Sequence, residues 1–202
     1  MPSVIERATS GRAKCRVCGQ AIAKGDARFG EALPSAYGEG DSMFWFHLRC
    51  AACARPESLL PTLAATTEAL PERAELEALA QLGIAQPRLC RILRAERASS
   101  GRAKCRHCRE LIAQGAWRLS LQMFEEGRFN PIGTIHATCG VGYFGVEPPL
   151  TRLKLPGNEL GEQELAEVLR LMRDGAAASS ASPGLAKASA PDAEPESTRK
   201  TS

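Results

Sequence analysis

Eight side chains in this 202-residue sequence have the types and spacing of two metal sites. Cys15 and Cys18 stand as Cys-x-x-Cys, and after an interval of 28 residues His47 and Cys50 stand as His-x-x-Cys. The arrangement recurs with Cys105 and Cys108, an interval of 27 residues, then His136 and Cys139. Zinc takes four ligands tetrahedrally, and three thiolates with one neutral imidazole make a closed, structural site with no position left for a catalytic water. The two clusters therefore predict two structural zinc ions per chain, each supplying folding energy to its surroundings. One Cys-x-x-Cys would say little; two copies, each followed by His-x-x-Cys at nearly the same distance, say much more.

Two further residues compete for these roles. Cys50-Ala-Ala-Cys53 is another Cys-x-x-Cys, so Cys53 is a rival to His47; Gly142 stands near the corresponding place in the second copy, which favours His47. His107 lies inside the second knuckle, where the first copy has Val17, and reads as exposed and not a ligand. Cys90 has no counterpart among the ligands and reads as a small buried residue.

The elements that hold these ligands are written twice. ERATSGRAKCRVC (Glu6 to Cys18) returns as ERASSGRAKCRHC (Glu96 to Cys108), with 11 of 13 positions identical at an offset of 90. A period of that length means two small units in tandem, each too small to be stable on its core alone and so in need of a staple such as a metal. After each basic phrase comes a turn, at Lys24-Gly25-Asp26 and Gln114-Gly115, then a strand, ARFGEAL (Ala27 to Leu33) or AWRLSLQM (Ala116 to Met123). A polar loop leads to a second strand, SMFWFH (Ser42 to His47) or IGTIH (Ile132 to His136).

Each unit is then predicted to close with a helix, Leu70 to Gly83 and Leu160 to Gly175, with the terminal glycine as the stop signal. Leu165, Val168, Leu169 and Met172 form one stripe of the second helix. The fold class that results is a pair of small α+β, zinc-stabilised modules, each a short antiparallel sheet with a closing helix. The expected boundaries are 5–83 and 95–175, with 84–94 as a linker that includes a short helix over Gln86 to Ala95. Residues 176–202 are rich in Ala, Ser and Pro and read as a disordered tail.

Charge follows the same division. Residues 1–56 and 96–145 are each net +3, whereas 57–85 is net −4 and 146–202 net −2. The basic charge sits with the cysteines, and such asymmetry points to an acidic polymer as partner. Arginine outnumbers lysine 20 to 6, which suits bidentate phosphate contact. No apolar run is long enough to cross a bilayer, and the N-terminal residues lack the apolar stretch of a signal peptide, so an intracellular setting with reduced thiols is expected. In such a setting nucleoid, cytoplasm and nucleus all remain open.

The ordered set S-G-R-A-K-C-x-x-C, an arginine on the next strand, W-F-H-x-x-C and a closing helix resembles the PARP-type zinc finger of poly(ADP-ribose) polymerases and a eukaryotic DNA ligase. The resemblance covers about 5–83 and 95–175. It implies modules that recognise DNA strand breaks, gripping phosphate with basic residues and capping exposed base pairs with an apolar loop. On this resemblance Arg12 and Arg102, with the strand arginines Arg28 and Arg118, contact the DNA backbone, and Lys14 and Lys104 assist as point charges. The capping loops offer Tyr37, Met43 and Phe44 in the first unit and Phe124 and Phe129 in the second. Thr134-Ile135 replaces the Trp45-Phe46 pair in the second unit, and Glu125 and Glu126 in its loop oppose phosphate.

The function this supports is a zinc-dependent DNA-binding protein that prefers breaks or nicks. Alternatives are an adaptor that uses its acidic helices or tail to hold protein partners, and an RNA-binding regulator. With three histidines, two of them assigned to zinc, and no nucleophile–base pair or phosphate-cradling glycine loop, the sequence points away from an enzyme.

Overall fold

A computed structural model describes residues 3–34, 40–125 and 127–180. The repeat appears as two three-stranded antiparallel sheets. The first has the order β1 (Val4–Arg7), β2 (Ala27–Pro34), β3 (Asp41–His47); the second has β4 (Ile92–Arg97), β5 (Trp117–Glu125), β6 (Arg128–His136). The four expected strands are present. The strands β1 and β4 were not anticipated; each runs into the start of the repeated phrase and pairs with the strand that follows. The expected helix over Gln86 to Ala95 is a 3-10 turn, Pro87–Arg91, that runs straight into β4. Residues 84–94 thus belong to the folded body rather than to a spacer.

Register places equivalent residues in equivalent cores. Ile5, Phe29 and Phe46 lie side by side across the first sheet, as Ala95, Leu119 and Ile135 do across the second, and all are buried. Alternation along β3 sends Phe44 and Phe46 inward and leaves Met43 and Trp45 on the other face. Trp45 lies over Gly30, where a methyl group would come within 2.6 Å of its ring. The second sheet has no such aromatic ring: Ser120 faces Thr134 at that register, and the Ser120 hydroxyl donates to Glu96 at 2.7 Å.

Helices pack on one side of each sheet. The first unit adds α1 (Leu48–Ala54), α2 (Pro56–Ala65) and α3 (Arg73–Ala85), and the second adds α4 (Gly140–Phe144), α5 (Leu150–Leu153) and α6 (Glu162–Ser180). Leu76, Leu79, Ala80 and Gly83 form the buried stripe of α3, and Leu165, Val168, Leu169 and Met172 that of α6. The glycines read as stops lie inside these helices. A methyl at Gly83 would meet Arg152 Nη2 at 2.8 Å, and one at Gly175 would meet the Thr138 carbonyl oxygen at 1.9 Å. Both positions are bare because another segment presses on the helix there. Beyond Gly175, the alanines at 176–178 are strong helix formers and carry α6 on to Ser180. The remainder of the predicted tail, 181–202, lies outside the described residues. No helix among the described residues is long and apolar enough to cross a membrane.

The two units share a seam. Leu155, in the segment after α5, is buried in the core of the first unit, and Phe129 of β6 packs against that same core. Arg152 of α5 is 1% exposed and donates to the Cys53 carbonyl and, at 3.1 Å, to the Leu79 carbonyl, both in the first unit.

Candidate metal centres and their basic surroundings

The backbone brings each set of four ligands to one point. Cys15 and Cys18 sit on a tight knuckle closed by Gly19 N–H to the Cys15 carbonyl, at 2.8 Å. Cys105 and Cys108 sit on its copy, closed by Arg109 N–H to the Cys105 carbonyl at 2.9 Å. The bridges Lys14↔Ala21 and Lys104↔Leu111 make each knuckle a miniature hairpin. His47 and His136 end their strands, and Cys50 and Cys139 follow one turn later.

In each cluster the four ligand atoms lie within 4.8 Å of one another. Cys18 Sγ is 3.4 Å and Cys50 Sγ 3.9 Å from His47 Nδ1; in the second unit Cys108 and Cys139 stand at the same 3.4 and 3.9 Å from His136 Nδ1. Bonds of ~2.3 Å to sulfur and ~2.0 Å to nitrogen require tetrahedral edges of roughly 3.5 Å, so the residues fit a zinc ion. Each Nδ1 faces the thiols, while Nε2 lies 3.3 Å from the Ala21 carbonyl or 3.2 Å from the Leu111 carbonyl. That outer contact fixes ring orientation and leaves Nδ1 as the ligand. His47 N–H and His136 N–H each stand 3.4 Å from a sulfur, of Cys15 and Cys105, and favour its thiolate.

Electrostatics agree. Hydrogen bonds with Cys18 and Cys50 hold Cys15 far below the usual thiol range, and those of Cys50 with Cys15 and Cys18 push Cys50 far above it. Cys105 falls to about 3 through its hydrogen bond with Cys139, which is pushed up in turn. Cys15 and Cys18 raise His47 to about 10. A cluster that crowds negative sulfur around one point is one in which a divalent cation displaces protons.

All eight cysteines are free thiols, and six of them are ligands. The rivals stand apart. Cys53 is buried in α1 outside the cluster, and burial pushes its thiol up to about 11. His107 is exposed and sets its ring edge-on to Tyr143, with centroids 6.4 Å apart. Cys90 rests 3.6 Å from the Gly83 carbonyl.

The basic residues divide into two groups. Arg12, Lys14, Arg102 and Lys104 are exposed and have no hydrogen-bond or ion-pair partner among the described residues. The strand arginines turn inward instead. Arg28 is 8% exposed, pairs with Glu6 at 2.5 Å and lies 3.5 Å from the centre of the Trp45 ring. Arg118 pairs with Glu96 at 2.8 Å. Both tie β1 or β4 to the neighbouring strand, so they act as braces in this conformation rather than as free phosphate contacts. Glu6 and Glu96, their partners, went unnoticed in the sequence, although the repeat places each glutamate 22 positions before its arginine.

The expected capping residues also differ from expectation. Phe44 is buried, with Arg16 stacked 4.4 Å above it and Gly127 of the second unit against its ring. Phe124 and Phe129 face each other across β5 and β6 with centroids 4.8 Å apart, and Arg55 of the first unit stacks on Phe124 at 4.0 Å. Two phenylalanines at a hairpin tip expose a large apolar area, and contact with the first unit leaves both half-buried. Met43 is half-buried over Gly30. Tyr37 and Glu126 lie outside the described residues.

No curated protein matches the chain. Residues 6–86 match the family described as the poly(ADP-ribose) polymerase and DNA-ligase Zn-finger region. The first unit is thus similar to the zinc fingers of that family, and the second unit, which carries the same four-ligand cluster on the same strand–knuckle–strand frame, is consistent with a second such finger.

Proposed function

We propose that the chain binds DNA and prefers strand breaks or ends to intact duplex. A zinc finger of this family with two metal clusters fits a zinc-dependent DNA-binding module. One observation carries the reading further. In each unit the arginine and lysine flanking the first ligand, Arg12 with Lys14 and Arg102 with Lys104, are exposed and unpaired among the described residues, while the strand arginines beside them are held in ion pairs. Unpaired basic side chains at a metal-rigidified knuckle give up no existing ion pair when they meet phosphate, which favours backbone contact over base reading.

The test is a set of dissociation constants for nicked, blunt-ended, closed circular and single-stranded DNA of one sequence, with RNA as competitor. Tighter binding to nicked and blunt-ended DNA is expected. Equal affinity for the closed circle removes the preference for breaks, and preferential capture by RNA favours the RNA-binding alternative.

A further inference from the structure

Two features of the second knuckle distinguish it from the first. Arg109 has φ 70°, and it is the only non-glycine residue with positive φ among the described residues; the first knuckle has Gly19 there at φ 73°. A side chain in the left-handed region costs of order 1 kcal/mol, and such residues cluster where strain serves function. The Arg109 side chain is exposed and has no partner among the described residues that would offset this cost. Two positions on stands Leu111, which is 58% exposed and the most exposed large apolar side chain among those described; the first knuckle has Ala21. The bridge Lys104↔Leu111 sets these two residues directly opposite, so their side chains share a face.

We infer that this knuckle hairpin, Lys104–Leu111, is the part of the second unit that meets a DNA end, with Leu111 stacking on the terminal base pair and Lys104 and Arg109 holding the flanking phosphates. The inference rests on the DNA-binding reading above. It gives the second unit a capping side chain in place of Phe124 and Phe129, which are engaged with the first unit. Charge favours the same occupant: across 102–111 Arg102, Lys104, Arg106 and Arg109 stand against the single acid Glu110. The metal cluster holds the hairpin rigid, because the Leu111 carbonyl lies 3.2 Å from His136 Nε2. Changing the Leu111 side chain leaves that backbone contact in place.

The experiment uses the full zinc-loaded chain, with Arg109→Gly and Leu111→Ser compared on a short blunt-ended duplex and on closed circular DNA. Arg109→Gly relieves the left-handed strain, so it keeps two zinc ions and an equal or higher Tm while losing several-fold in DNA affinity and about one unit of salt slope. Leu111→Ser lowers the preference for the blunt end about tenfold and leaves the salt slope unchanged. If both variants bind both DNAs as the unchanged chain does, while Arg12→Ala with Arg102→Ala still weakens binding, this inference is overturned and the DNA-binding reading stands. If the unchanged chain binds no DNA, both are overturned.

Discussion

Arg152 donates from Nη2 to the carbonyl of Leu79 at 3.1 Å, joining the second unit to the middle of a helix in the first. That carbonyl already serves the helix, as acceptor for Gly83 N–H four residues on. Only the missing side chain at Gly83 lets a guanidinium approach it. The other Nη group reaches the Cys53 carbonyl in the last turn of α1, where a cation complements the helix dipole. No carboxylate pairs with Arg152 among the described residues, so backbone carbonyls, with the Cys90 side chain beside them, compensate a charge on a residue that is 1% exposed.

Arg152→Ala leaves a cavity and unpaired carbonyls at the seam, and a loss of about 3 kcal/mol is expected in chemical denaturation. Arg152→Met fills most of the volume without burying a charge, so it loses less. An alanine variant within about 0.5 kcal/mol of the unchanged chain would mean that the seam contributes little.

Gly83→Ala reverses the usual sign of a helix substitution. Inside a free helix the change stabilises by ~1 kcal/mol. Here the added methyl meets Arg152 Nη2 at 2.8 Å, Pro56 Cγ at 3.1 Å and Cys90 Sγ at 3.2 Å, so a lower Tm is expected. Gly175→Ala is expected to be worse, because the obstacle at 1.9 Å is the Thr138 backbone. A raised Tm in either variant would show that these close approaches do not exist in solution.

Metal removal is expected to unfold both units, since each cluster joins a knuckle to the end of a distant strand. Native mass spectrometry is expected to find two zinc ions per chain, and Cys108→Ser is expected to lose one. Zinc loading also releases protons, because His47 at about 10 and Cys50 above the ordinary thiol range are both protonated near neutral pH before metal displaces them. Calorimetry in buffers of different ionisation enthalpy measures that release. Zinc uptake with no proton release would contradict the crowded-thiol geometry.

What was legible in the sequence follows from short-range chemistry. The eight ligands, the strands β2, β3, β5 and β6 and the stripe of α6 depend on spacing and periodicity, and these are local. Gly83 and Gly175 were misread as helix stops because a glycine at a cap and a glycine under a packed neighbour look alike until the neighbour is placed. Neither neighbour, Arg152 or Thr138, is close in sequence. The same distance hid the fate of Phe124 and Phe129: an apolar pair in a loop reads as a contact surface, and only the packing of the two units shows that it is already covered. Arg28 and Arg118 could have been read as braces, since Glu6 and Glu96 recur with them at a fixed interval.

The most direct measurement is the salt dependence of binding to a nicked duplex by zinc-loaded protein, for the unchanged chain and for Arg12→Ala combined with Arg102→Ala. Each phosphate contact contributes about 0.9 to the slope of log affinity against log salt, so the double variant is expected to bind more weakly, with a slope shallower by about two, while keeping both zinc ions. An unchanged slope and affinity, with both ions retained, would contradict the account.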